Sequence, residues 1–317
     1  MSRYLVTGGC GFIGSHLVDS LLADGHEVAV LDDLSTGRRS NLDPRARLVV
    51  ADVADTDAVS AAMANVSACF HLAAVASVQR STEEWPKTHR SNQTGSIAVF
   101  DAARRLGGGT PLPVVFASSA AVYGSNTAVP LAETAQVGPI SPYGADKLGS
   151  ELHARAGEVI HRSRIIGLRF FNVFGPRQDP GSPYSGVISI FSDRSRQGLP
   201  LTIFGCGEQT RDFVFVSDVV GCLRRAMASL EASPAARFAA YNVCRGVGVT
   251  INELARHVVA ASGSSSTISH APARAGDIQA SIGVPDLARR DLGFVAAVSL
   301  EDGLRATLGW APPSVAG

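Results

Sequence analysis

The chain has 317 residues, of which 45% are hydrophobic, 18% are charged and 32 are glycine. That is enough for one large domain or two ordinary ones, each with a full core, and it is too apolar for a disordered chain. The 28 basic residues balance the 28 acidic ones, so no footprint for nucleic acid or an anionic membrane surface is expected, whereas a small anionic ligand is compatible.

In chain order, short apolar runs alternate with helical patterns. Residues 4–7 read as a strand. After a glycine cluster, Ile13, Leu17, Val18, Leu21 and Leu22 recur at helical spacing until Gly25. Further strands are predicted at 27–31, 48–50, 69–73, 114–118 and 165–171, with crossover helices at 57–65, 92–106 and 143–161. Runs apolar on both faces are what parallel strands covered by helices require, so the expected class is a doubly wound α/β fold. The breaker-rich stretch from Gly175 to Pro183 reads as a loop leaving the first domain. Beyond it a helix near 187–197, a strand near 213–216 with a helix behind it, and a strand at 241–243 are predicted. Thr250 and Glu253 have capping-box spacing and open a helix to about residue 261. The expected division is 1–171 for the doubly wound domain and 172–317 for a smaller α+β lobe, with strands near 213–245 as candidates to return to the first sheet.

The five cysteines, Cys10, Cys69, Cys206, Cys222 and Cys244, are scattered and form no CxxC pair. A disulfide framework or zinc site is therefore disfavoured, and no metal site is expected. Neither a signal peptide nor 18 consecutive apolar residues is present, so a cytoplasmic protein without a membrane partner is expected.

Three groups of residues carry chemistry. Gly8, Gly9, Gly11, Phe12, Ile13 and Gly14 lie between the first strand and first helix, where glycines let backbone N–H groups approach a pyrophosphate. Asp32 ends the second strand, 18 residues after Gly14, where a carboxylate accepts from an adenosine ribose and repels a 2′-phosphate, which favours NAD over NADP. Asp33 is the neighbouring candidate, with a turn role as its ordinary alternative. Tyr143 and Lys147 stand four apart, on one face of a helix. Lowering a phenol from pH 10 to 7 takes about 4 kcal/mol, and an ammonium about 5 Å away at an effective dielectric of about 20 supplies roughly 3. Lys147 is thus expected to depress the Tyr143 pKa. Ser118 and Ser119 end an apolar strand, at the edge where ligands bind in such sheets, with backbone capping as the alternative.

Taken together with TGGCGFIGSHL (7–17), LDDLSTG (31–37), FHLAA (70–74), SSAAVYG (118–124), SPYGADK (141–147) and LRFFNVFGPRQ (168–178), these residues resemble the nucleotide-sugar epimerase branch of the extended short-chain dehydrogenase/reductase family. The resemblance spans essentially the whole chain and implies a Rossmann-type domain, NAD as cofactor and a UDP-sugar substrate. It assigns Tyr143 as base, Ser119 to the sugar 4-hydroxyl and Lys147 to the nicotinamide ribose. Asp52 and Val53 would meet adenine, Leu72, Ala73 and Ala74 would line the pyrophosphate and nicotinamide ribose, and Phe170 would pack near the nicotinamide. Asn172, Arg211 and Arg274 match diphosphate contacts, Asp277 a ribose contact, and Ile203 and Phe204 a uracil contact. A salt bridge to Asp212 or Glu208 is the ordinary alternative for Arg211.

The implied reaction is 4-epimerisation of a UDP-hexose through a 4-keto sugar. The alternatives are epimerisation of a nucleotide uronic acid or pentose, or a non-catalytic NAD-binding sensor. Ala120 and Ala121 stand where dehydratases and decarboxylases of this kind carry acids for a C5 proton, which disfavours those reactions. Ser281, four residues after Asp277, matches a position where a tyrosine excludes N-acetylated sugars, so UDP-GlcNAc and UDP-GalNAc are expected to fit. A homodimer through helices 92–106 and 143–161 is a further implication. His16 and His71 are expected to be structural.

Overall fold

A computed structural model describes residues 1–181, 186–273 and 278–310. The first half builds β1 (Arg3–Thr7), α1 (Phe12–Ala23), β2 (Glu27–Asp32), β3 (Arg47–Val50), α2 (Thr56–Met63), β4 (Ala68–His71), α3 (Val78–Glu83), α4 (Trp85–His89), α5 (Gly95–Leu106), β5 (Val114–Ser119), α6 (Pro142–His161) and β6 (Arg164–Phe170). There follow β7 (Asn172–Phe174), α7 (Val187–Arg196), β8 (Leu201–Phe204), β9 (Thr210–Phe215), α8 (Val216–Glu231), β10 (Arg237–Val243), β11 (Gly248–Thr250), α9 (Ile251–Ser262), β12 (Ile268–Ala271), β13 (Ala280–Ser281), α10 (Asp286–Leu292) and α11 (Leu300–Gly309).

The continuous apolar runs explain the main sheet. All seven residues of β6 are buried, because helices cover both faces. Among the described residues the sheet has seven strands in the order β10-β6-β5-β4-β1-β2-β3, every pair parallel. One face packs on α1 and α8 through Leu17, Leu21, Leu223 and Met227. The other packs on α2, α5 and α6 through Val59, Met63, Val99 and Ala154. The order of neighbours around β1 reverses direction there, which opens a crevice at the carboxyl ends of β1 and β4.

Of the two later strands that were candidates to return to this sheet, β10 does so, beside β6. β9 instead pairs with β11, β13 and β7 in a second sheet, since the edge next to β6 is already filled. The second lobe has its own core of Phe174, Ile188, Phe191, Leu201, Phe213 and Leu254. Helix α5 is preceded by a π-helical turn, Arg90–Thr94, where the sequence suggested an uninterrupted helix. The predicted capping box is present at Thr250 and Glu253. Among the described residues no helix is long and apolar enough to cross a membrane.

Two helical glycines make opposite demands. A Cβ on Gly14 would lie 2.1 Å from the Gly8 carbonyl oxygen, whereas one on Gly221 would meet nothing within 4 Å. Gly14→Ala is expected to cost about 1–3 kcal/mol through overpacking, and Gly221→Ala to stabilise α8 by up to about 1 kcal/mol through helix propensity. Urea unfolding of the two variants checks both signs.

Candidate functional site

The glycine loop is shaped by backbone contact. Gly8 adopts φ +71°, and a Cβ there would lie 2.7 Å from the amide nitrogen of Ala73, so only glycine lets β1 and β4 end this close. Gly11 is the N-cap of α1; it offers no side chain, and the first turn, opened by Phe12 and Ile13, holds no acid. The N-terminal amides and the positive end of the helix dipole are left to a bound anion.

Asp32 ends β2 with its two carboxylate oxygens accepting from the Cys10 and Leu34 amides, each at 2.9 Å. Each oxygen keeps a second acceptor position. Burial pushes its pKa up, and the two amides oppose that shift. Asp33 is exposed and accepts from the Ser35 amide and hydroxyl, which is the turn role. Asp52 follows β3, accepts from the Ala54 amide at 2.8 Å and pairs with Arg90 at 3.0 Å, while Val53 is buried in the core. The loop after β4 is held by bonds from the Leu72 amide to the Thr7 carbonyl and from the Ala73 amide to Thr7 Oγ1, with Ala74 next in the chain. His71 lies between Thr7 and Ser96, at 2.8 and 3.1 Å, and burial pushes its pKa down to about 3. It is a neutral, structural histidine.

The reactive groups converge at the carboxyl end of β5. Ser119 accepts the Ala121 amide at 3.1 Å, and its hydroxyl acts on the Tyr143 phenol in the direction that favours phenolate. Lys147 Nζ lies 5.8 Å from the centroid of the Tyr143 ring and donates to the Ala117 carbonyl at 2.8 Å. Contrary to the expectation beside Lys147, the phenol is not lowered below its ordinary value. Burial pushes Tyr143 up despite Ser119, and burial pushes Lys147 down to about 8, with Asp146 opposing. Loss of water disfavours both charged forms. Phe170, in register with Ser119, is buried.

The reading of single residues missed the frame behind this triad. Glu151, one helical turn beyond Lys147, accepts from Ser118 at 2.6 Å and makes a two-bond pair with Arg169, at 2.9 and 2.7 Å. Arg169 also donates to Tyr123 at 2.8 Å, and Tyr123 donates to Asn242 at 2.7 Å. The available signal was the inward helical spacing of Glu151 from Lys147. Ser118 is thereby structural.

On the substrate side Asn172 is exposed at the start of β7. Phe204 is half-buried, but Ile203 is only 1% exposed within the lobe core. Alternation along β8 turns the Ile203 side chain inward and leaves Phe204 half-buried beside it. Arg211 donates to the Thr210 carbonyl at 2.9 Å and lies in register with Ser281 across the β9–β13 pair. The carboxylate of Asp212 accepts the Arg245, Gly246 and Gly283 amides, and Glu208 accepts from Asn252. Arg274 and Asp277 lie outside the described residues.

Residues 4–244 match the NAD dependent epimerase/dehydratase family. The chain belongs to this family. UDP-glucose 4-epimerase of Mycolicibacterium smegmatis is 38% identical over 312 residues, covering 96% of this chain and 97% of that protein. Among solved structures, UDP-glucose 4-epimerase of Thermotoga maritima with UDP-glucose superposes with a TM-score of 0.91 at 35% identity, covering 96% of this chain and 97% of the other. UDP-N-acetylglucosamine 4-epimerase of Methanobrevibacter ruminantium in complex with UDP-N-acetylmuramic acid gives 0.90 at 34% identity, covering 98% and 97%.

The depressed pKa of Lys147 has a sign that stability measurements read. Between about pH 8 and the ordinary lysine value near 10.4, the unfolded chain keeps a proton that the folded chain has released. Stability from this group therefore rises with pH in that window and is flat below it. In Lys147→Met the rise is absent, so wild type should gain on the variant by about 1 kcal/mol per pH unit above pH 8, measured by urea unfolding at several pH values.

Proposed function

We propose that the chain catalyses NAD-dependent 4-epimerisation of a UDP-hexose. The observation that carries this reading is the buried Lys147 with its Nζ 5.8 Å from the centroid of the Tyr143 ring and Ser119 favouring that phenolate, at the same end of the sheet as the glycine loop. The family match and the 4-epimerase relatives support it.

The residues present fit NAD. The amides at the start of α1 suit its pyrophosphate, Asp32 the adenosine ribose with Asp52 and Val53 nearby, and Leu72 to Ala74 the path towards the nicotinamide. When bound, NAD supplies an acceptor and donor of hydride at the sugar C4. Tyr143 takes the proton from the 4-hydroxyl and returns it, and Ser119 orients that oxygen. Lys147 favours the phenolate and reaches the nicotinamide ribose. Asn172 and Arg211, joined by Arg274, hold the diphosphate; a guanidinium matches a phosphate through paired hydrogen bonds. Asp277 meets the uridine ribose and Phe204 the uracil. Ala120 and Ala121 bring no acid to C5, which disfavours a dehydratase or decarboxylase reading.

Ser281 sets the reading of the sugar pocket. Its register is pinned, since the neighbouring Ile282 carbonyl accepts from the Leu131 amide and Val284 donates back to Leu131, at 2.8 and 2.9 Å. A serine beside Arg211 leaves out a phenol's volume, so UDP-GlcNAc and UDP-GalNAc are accepted as well as the plain hexoses. The exposed apolar residues Ile97 on α5 and Leu152, Val159 and Ile160 on α6 support a homodimer through these helices. Four buried free thiols out of five cysteines support a reducing, cytoplasmic setting.

Purified protein should interconvert UDP-glucose and UDP-galactose without added NAD, followed by NMR of the equilibrating mixture. Tyr143→Phe should lower that rate by at least about 10²-fold with UDP-sugar binding retained; near-normal turnover would remove Tyr143 from the reaction. Ser281→Tyr should depress turnover of UDP-GlcNAc by more than about 10-fold while sparing the hexoses. Equal loss of both activities would count against the pocket assignment.

A further inference from the structure

The segment leading from β7 towards α7 is fastened to the nucleotide end at several points. His16, in the second turn of α1, donates through Nε2 to the Pro176 carbonyl at 2.9 Å. A carbonyl only accepts, so this nitrogen carries the proton, and burial pushes the His16 pKa down. The bond therefore needs no charge at neutral pH. Arg177 pairs with Asp19 of α1 at 2.7 Å and reaches the Asn41 carbonyl at 3.5 Å. Arg38 pairs with Asp179 at 3.0 Å. From the other side, the Arg38 amide and the Asn41 side chain both donate to the Cys10 carbonyl of the glycine loop, at 3.0 and 3.1 Å. Arg177 itself sits at φ +67°, a conformation disfavoured for a residue with a Cβ and kept only where surrounding contacts over-determine it.

These contacts join three segments: the glycine loop with α1, the loop that follows Asp32, and the first stretch of the substrate lobe. We propose that Arg177 and Asp179, with their partners Asp19 and Arg38, are positioning residues that form a clasp retaining the dinucleotide. The two ion pairs add to the Cys10 hydrogen bonds in holding the loop after Asp32 against the glycine loop and α1. This rests on the NAD-dependent reading above. The chemistry gives retention a purpose, because a cofactor lost between the two hydride transfers would strand an oxidised sugar. None of these contacts of Asp19, Arg38, Arg177 and Asp179 reaches Ser119, Tyr143 or Lys147, so the clasp is proposed to act on cofactor exchange and not on proton transfer. Its ion pairs are part-exposed, with side-chain exposures of 23% and 38% for Arg177 and Asp19 and 59% and 42% for Arg38 and Asp179. They are therefore open to screening by salt.

The test loads the protein with radiolabelled NAD, chases with excess unlabelled NAD and follows the label retained on a filter. In the double variant Asp19→Asn with Asp179→Asn, label should leave about 10-fold faster, and in Asp179→Asn alone about 3-fold faster, as expected for exposed ion pairs. Raising NaCl to about 0.5 M should speed exchange from wild type and leave the double variant nearly unchanged. Exchanging the charges, Asp19→Arg with Arg177→Asp, should restore slow exchange in a way that mere local packing would not. Wild-type exchange rates in the double variant, or faster exchange without the salt response, would overturn the clasp. A wild-type protein that retains no labelled NAD would instead overturn the cofactor reading itself.

Discussion

The buried ion pair between Glu151 and Arg169 is the constraint on which the rest of the site depends. Both side chains are under 10% exposed, so neither charge is solvated by water, and each must be satisfied by the protein. Glu151 is, by Ser118 and two guanidinium hydrogen bonds. Arg169 spends its remaining donor on Tyr123 and the Glu133 carbonyl. Burial works against the Arg169 charge, and Glu151 together with Tyr123 more than offsets it. The pair locks α6 to β5 and β6, and through Tyr123 it locks the turn after Ser119. Lys147 lies one helical turn before Glu151, and Ser119 directly follows Ser118. The triad geometry is thus inherited from an ion pair that touches none of the reacting atoms.

The network continues beyond the first lobe. Asn242 on β10 accepts from Tyr123 and donates to the Leu131 and Val284 carbonyls, while Glu133 accepts from the amides of Asn242 and Ala288. Leu131 in turn sets the register of Ile282 and so of Ser281. The spacing between Ser119 and Ser281 is therefore set through a chain of hydrogen bonds. Such networks, when fully satisfied, rigidify a site more than the same number of surface contacts.

Burial also sets the electrostatic character of the site. Dry surroundings hold Tyr143 as a phenol and weaken the hold of Lys147 on its proton. A phenolate then forms readily only when more positive charge arrives in the same low-dielectric space, where each interaction is strengthened. The chain supplies the Ser119 hydroxyl and the nearby ammonium.

Local pattern determined much of this protein. Strands apolar on both faces dictated a parallel sheet, the glycine spacing after β1 and the acid ending β2 marked the dinucleotide end, and Tyr143 and Lys147 shared a face because a helix repeats every 3.6 residues. The capping box at Thr250 was legible for the same reason: each of these signals lies within a few residues of itself. What the tertiary structure decided involves partners far apart in the chain. Ile203 turned inward because a second lobe had a core to fill, β9 went to that lobe's sheet because β10 took the place beside β6, and Glu151 found Arg169 across a helix–strand contact. The phenol's pKa rose instead of falling because exclusion of water is a property of the assembled fold, whereas the charge of Lys147 could be counted from the sequence.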